Sequence, residues 1–140
     1  MPFQEKSAWV MSVSLILGGA YYFGIVKTIT AEIGQLAPPI LPTVVLYTII
    51  LVVISVVGHI AISILTPREA DAPLDEREKA IFQRASHLSG YLLGAGVLLS
   101  LGVYLYSYSG DALFYGVFAS LMISQLAEYV FRILFYRVSV

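Results

Sequence analysis

Four long apolar runs, at residues 7–26, 43–65, 88–109 and 112–136, make up most of this 140-residue chain. Each run is close to the roughly 20 residues that an α-helix needs to cross a bilayer core of about 30 Å. Hydrophobic residues make up 59% of the chain and charged residues 12%, whereas a soluble domain carries about 25% charged residues. The pattern therefore predicts an all-α membrane protein, with one transmembrane domain over residues 1–140.

The polar joints between the runs set the predicted helix boundaries. We predict spans at about residues 7–28, 43–65, 76–108 and 112–136. The third span has a predicted cytoplasmic extension, because Asp75 is a good N-cap and Glu78 follows three residues later, as in a capping box. The joint at residues 27–42 contains three prolines and is predicted to be extended or turned rather than helical.

The basic residues predict the orientation of the chain, because Lys and Arg resist translocation. Only Lys27 falls on the predicted outer side. Seven others fall on the opposite side: Lys6, Arg68, Arg77, Lys79, Arg84, Arg132 and Arg137. Both termini and the middle joint are therefore predicted to be cytoplasmic. The outer joint at 109–111 is so short that spans three and four should be antiparallel neighbours, which gives two antiparallel hairpins.

The two spans that run outside to inside have related sequences. Residues 54–65 align with residues 123–134, with identical amino acids at four positions. This similarity is compatible with an internal duplication of a helical hairpin, as occurs among transporters. Its consequence is that His59 and Glu128 would occupy equivalent positions.

A group of polar side chains interrupts the apolar runs in the predicted inner third of the bundle, where ionisable groups are costly. The candidate ligand- or ion-binding residues are His59, His87, Gln125, Glu128 and Arg132. Two alternatives are open for Glu128. It can pair with Arg132 at i,i+4, or it can meet His59 or His87 across helices and form a site for a proton or a small cation.

Several chemistries lack a sequence signal. No ligand-spacing motif supports a metal site, and a haem held by His59 and His87 is a weaker hypothesis than proton or cation binding, so no cofactor is predicted. There is no cysteine, no nucleophile elbow, and neither a phosphate-binding glycine loop nor a basic tract for nucleic acid. The chain is therefore predicted to be no enzyme and to have the lipid bilayer as its first partner.

Two features suggest association with other protein chains. The start of the third helix offers a candidate partner-binding surface, formed by Asp75, Glu76, Arg77, Glu78, Lys79 and Arg84. Gly90 and Gly94 form a GxxxG motif, which allows close helix packing within the bundle or between subunits. The leading functional hypothesis is a non-enzymatic membrane module that assembles with itself or with a membrane-protein partner. The alternative is a small proton- or cation-coupled transporter or channel that uses the His/Glu cluster.

Two short segments resemble a known group of proteins. The start of the chain, Gln4-Glu5-Lys6-Ser7-Ala8-Trp9, and the run at residues 75–85 are similar to small, uncharacterised bacterial inner-membrane proteins that carry a DER-type motif before a transmembrane hairpin. The resemblance implies four spans in a bacterial inner membrane. It brings no activity, cofactor or functional residue with it.

Overall fold

The computed structural model describes residues 1–138 and is all-helical. Its elements in chain order are α1 (Phe3–Ile33), α2 (Leu41–Leu65), the short α3 (Pro67–Ala70), α4 (Glu76–Ser107) and α5 (Gly110–Val138). The four longer helices are long and apolar enough to cross a membrane. The prediction of an all-helical protein with four candidate membrane spans is therefore confirmed.

The predicted start of the third long helix is confirmed in detail. An Asp75 side-chain oxygen accepts a hydrogen bond from the backbone N–H of Glu78 at 2.7 Å. The Glu78 carboxylate in turn accepts one from the backbone N–H of Asp75 at 3.2 Å. This capping box satisfies two backbone groups at the helix start, where helical partners are missing.

The first joint is shorter than predicted. Helix α1 continues through residues 27–33, which contain neither glycine nor proline, and ends at Gly34 in the left-handed conformation with φ 72°. The non-helical part is confined to residues 34–40, and α2 starts with Pro42 in its first turn. Proline is accepted there because the first backbone N–H groups of a helix have no helical partner. The prediction that residues 29–33 are non-helical was wrong.

The four long helices pack unequally. Helix α1 packs against both α2 and α5, and α4 packs mainly against α5. The most apolar part of α2 contains no buried residue, so this helix exposes most of its surface. Helices α1 and α5 are therefore the central pair, with α2 and α4 on their flanks.

An aromatic cluster holds the central pair together toward the end away from the chain termini. Tyr22 of α1 is 1% exposed. Its ring centroid lies 4.8 Å from that of Phe118 of α5 and 5.8 Å from that of Tyr47 of α2. The Tyr115 hydroxyl donates to the backbone carbonyl of Ala37 at 2.7 Å, which ties the first joint to α5. Such ring pairs contribute about 0.5–1.5 kcal/mol each beyond their burial.

Small residues form the contact between α4 and α5. A methyl group added at Gly96 would collide with the Ser120 side chain, and one added at Gly116 would collide with that of Ser100. Nearer the chain termini, the Ser124 hydroxyl donates to the Ser89 carbonyl at 2.9 Å. Helices in lipid associate through this kind of close backbone approach.

Candidate functional site

Polar side chains from several helices meet at one end of the molecule, which we call the terminal end because residues near both chain termini lie there. Arg137 Nε donates to Glu5 Oε1 at 3.1 Å, and the Glu5 side chain is 8% exposed. Lys6 Nζ lies 3.9 Å from a carboxylate oxygen of Glu69 in α3. The start of α1 is thereby linked to the end of α5 and to the middle joint.

The start of α4 is also attached to the end of α5. The Tyr136 hydroxyl donates to Glu78 Oε1 at 3.1 Å, and Arg77 Nη2 donates to the backbone carbonyl of Tyr136 at 3.1 Å. Ile81 and Ala85, one and two turns further along α4, are 4% and 0% exposed. These contacts bury one side of the segment that was predicted to bind a partner.

The predicted partner-binding residues therefore divide into two groups. Arg77 and Glu78 contact α5, and the Arg84 guanidinium lies 4.8 Å from the centroid of the Phe135 ring. Glu76 and Lys79 are exposed, and they pair with each other at 2.9 Å. Asp75 caps the helix. The segment is thus partly a surface and partly an internal contact.

Glu128 and Arg132 form an ion pair within α5. Their side chains are 14% and 20% exposed, and the Ser86 hydroxyl of α4 donates to the same Glu128 oxygen at 2.9 Å. The Arg132 guanidinium stacks over the Phe82 ring at 4.1 Å. Of the two alternatives for Glu128, the structure contains the i,i+4 pair, and this pair is joined to α4.

His59 has partners on two helices. Its Nδ1 lies 2.7 Å from the backbone carbonyl of Ser55, and its Nε2 lies 2.7 Å from the Ser7 hydroxyl of α1. Because a carbonyl can only accept, Nδ1 donates in the first contact, and Nε2 shares a hydrogen bond with the Ser7 hydroxyl. His59 thus connects α2 with α1.

The remaining two predicted site residues lie apart from these contacts. His87 is exposed on α4, and its Nε2 lies 3.0 Å from the Tyr91 hydroxyl. Gln125 is exposed on α5. Within residues 1–138, no hydrogen bond or ion pair joins His59, His87 and Glu128, and no group of three or more side chains from His, Cys, Asp and Glu could hold a metal ion.

Three contact residues were not expected to contribute to the polar sites. Ser7 and Ser86 bond to His59 and Glu128, and Tyr136 bonds to Glu78. Serines are frequent in all four runs, and only the relative position of two helices decides which hydroxyl meets an ionisable group. The extension predicted for the third span was the one signal that this helix would reach Tyr136, near the end of α5.

One face of α4 is open. Methyl groups added at Gly90 and Gly94 would meet no atom within 4 Å, so the GxxxG motif does not pack against another part of the described chain. Exposed residues around the motif include His87, Tyr91 and Leu98. We call His87, Gly90, Gly94 and Leu98 the open face of α4. At 100° per residue this face is opposite the side that carries Ala85 and Gly96.

A search among known protein families, curated proteins and solved structures finds no match for this chain.

Proposed function

We propose that this protein is a non-enzymatic integral membrane module that assembles with a second copy of itself through the open face of α4. The observation that carries the proposal is the unoccupied space at Gly90 and Gly94. Gly96 and Ser100, two other small residues of α4, pack against Ser120 and Gly116 of α5. The GxxxG motif is therefore available to another chain.

The physical reason lies in how helices associate in lipid. Lipid tails are as apolar as leucine, so exposed aliphatic side chains provide no drive for association in a bilayer. Close backbone approach does provide it, through dispersion contacts and weak Cα–H···O bonds. Gly90 and Gly94 are the positions on the open face at which a second α4 could approach most closely.

The proposal includes a location and an orientation. The protein resides in a bacterial inner membrane, as two antiparallel hairpins with both termini in the cytoplasm. This is supported by the excess of Lys and Arg in the segments at the terminal end and by the resemblance to small bacterial inner-membrane proteins. The pairing of Arg137 with Glu5 keeps the start of α1 beside the end of α5, which is consistent with that orientation.

The exposed part of the predicted partner-binding segment extends the same surface. Glu76, Ala80 and Gln83 are exposed and follow the helical spacing of the open face toward the start of α4. Two copies that meet at Gly90 and Gly94 would bring these residues together outside the membrane. The runner-up function, transport through His59, His87 and Glu128, has no comparable support, because each of these residues contacts neighbours other than the remaining two.

The test is to fill the space on the open face. Gly90→Ile and Gly94→Ile should weaken association about tenfold each, because a steric cost near 1.4 kcal/mol changes an equilibrium constant by that factor. Association is measured as energy transfer between donor- and acceptor-labelled copies in liposomes, over a range of protein-to-lipid ratios.

Gly102→Ile is the matched control. Gly102 lies on α4, also has no atom within 4 Å of an added methyl group, and is turned about 80° from Gly94 around the helix axis. This variant should associate like the unmodified protein. Equal energy transfer for all three variants would contradict self-assembly through this face, and an equal loss for all three would show that the effect is not specific to the motif.

A further inference from the structure

A small cavity lies between α4 and α5 near the terminal end. It has a volume of about 120 Å³ and is lined by Arg77, Ala80, Ile81, Arg84 and Phe135. This volume is several times what one water molecule requires. Both of its charged lining residues are arginines. The cavity therefore combines an apolar floor with a positively charged rim.

The two arginines stand on the same side of α4. They are seven residues apart, which is two helical turns or roughly 10 Å along the axis. Arg77 is held by the Tyr136 carbonyl, and the Arg84 guanidinium rests on the Phe135 ring. A guanidinium stacked on an aromatic face keeps its N–H donors at the edge of its plane, where they can bind an anion.

Arg84 has donors to offer. The described part of the chain provides it with the Phe135 ring and with no hydrogen-bond acceptor. The nearby acidic groups are already engaged: Glu76 pairs with Lys79, and Glu78 takes part in the capping box and accepts from Tyr136. The Arg84 edge of the cavity is therefore a place where a negative group would be stabilised.

The depth of Arg84 identifies the source of that negative group. Tyr104 lies 20 residues further along α4, and at 1.5 Å per residue this corresponds to about 30 Å, the thickness of the hydrocarbon core. Placing Tyr104 in an aromatic belt at one membrane interface would put Arg84 at the other interface, at the level of the lipid phosphates.

The surface below the cavity is suited to acyl chains. The side of α4 that carries Arg84 continues with Leu88, Tyr91 and Ala95, which are half-buried or exposed. A phosphate in the cavity would therefore have apolar helix surface directly beneath it. A free phosphate ion would make no contact with that surface, whereas the acyl chains of a phospholipid would pack against it.

We propose that the Arg77/Arg84 cavity binds the phosphate of an anionic phospholipid whose acyl chains lie along α4. Basic pockets between transmembrane helices bind lipid headgroups in this way. The site can be tested separately from self-assembly: Ala80 borders both surfaces, but Arg84 is turned about 80° from Gly94 and about 120° from Gly90 around the helix axis. Either proposal can fail while the other holds.

The test is lipid binding to the purified protein in detergent, followed by native mass spectrometry. Dioleoyl phosphatidylglycerol should bind more tightly than dioleoyl phosphatidylcholine. Arg84→Gln should weaken phosphatidylglycerol binding about fivefold, as expected for one basic residue at a membrane surface. Arg84→Lys keeps the charge and loses the flat contact with Phe135, so its loss should be smaller.

Arg68→Gln is the matched control, because it removes one exposed arginine from the same end of the molecule at α3. It should leave phosphatidylglycerol binding unchanged. Equal effects of Arg84→Gln and Arg68→Gln would overturn the proposal, and so would equal binding of the two lipids by the unmodified protein.

If inorganic phosphate displaces phosphatidylglycerol at equal concentration, the site is one for soluble anions and the lipid assignment is wrong. If Arg84→Gln does not fold, the lipid comparison and the phosphate competition decide the question with the unmodified protein.

Discussion

The two sides of α4 have similar composition and opposite environments. On the side toward α5, Ala85 is fully buried and Gly96 has no room for a methyl group beside Ser120. On the open face, Gly90 and Gly94 have free space. Both sides have small residues at helical spacing. Composition alone therefore does not explain why one side packs against α5 and the other stays open.

The difference lies in what accompanies the small residues. The α5 side includes hydrogen bonds that cross between the helices, from Ser124 to the Ser89 carbonyl and from Ser86 to Glu128. Around the GxxxG motif, the His87 ring bonds to Tyr91 of its own helix. Small residues permit close approach, and polar groups that cross the gap specify the partner. Within the described chain, these crossing hydrogen bonds favour α5 as the partner of this side of α4.

The largest effect on the α5 side is expected from Glu128→Leu. This change leaves the Arg132 guanidinium, whose side chain is 20% exposed, beside Phe82 without its carboxylate. Loss of one partner of a buried ion pair costs about 3–5 kcal/mol, and we expect the lower end because Arg132 can reach toward the interface. The measurement is the free energy of unfolding in mixed micelles titrated with sodium dodecyl sulfate and followed by circular dichroism.

The double variant Glu128→Leu/Arg132→Leu is the control, because it removes both charges and leaves apolar groups. It should recover most of the lost stability, since replacing a buried pair by apolar residues is often neutral. If the single variant is as stable as the double one, the ion pair does not stabilise the contact between α4 and α5. Polar contacts would then not explain the difference between the two sides of α4.

A smaller effect is expected from Gly96→Val, which tests close approach itself. The added side chain would have to displace Ser120, whose hydroxyl donates to the Gly116 carbonyl at 2.7 Å. Overpacking of this kind costs typically 1–3 kcal/mol. The same unfolding titration measures it, with Gly90→Val as the matched glycine of the open face. Equal destabilisation by the two variants would show that helix propensity, and not the contact with α5, dominates.

Much of the fold followed from sequence patterns with local causes. The four apolar runs predicted the four long helices, and the spacing of Asp75 and Glu78 predicted the capping box that starts α4. The error at residues 29–33 is also local in origin. The prolines at positions 38, 39 and 42 were taken to exclude helix over the whole joint, whereas proline restricts itself and the residue before it and leaves earlier turns intact.

The candidate site was less predictable because it depends on which helices are neighbours. His59, His87 and Glu128 were grouped by depth along their spans, and depth says nothing about position around the bundle. The pairing of Glu128 with Arg132 was among the predicted alternatives, since both residues belong to one helix. The bonds from Ser7 and Ser86 join residues of different helices, and no pattern within one helix could predict them.

The smallest effect on the folded chain is expected from Gly94→Ala. Because an added methyl group at Gly94 meets no atom within 4 Å, the unfolding free energy of the monomer should change by no more than about 0.5 kcal/mol. The same methyl group would separate two α4 helices that meet at this position, so energy transfer between labelled copies should decrease while monomer stability does not. If Gly94→Ala lowers both association and monomer stability, Gly94 contributes to the fold in the same way as Gly96. If it lowers neither, Gly94 makes no contact with a second chain. Only a loss of association at constant stability distinguishes a face kept open for a second chain from one that simply faces lipid.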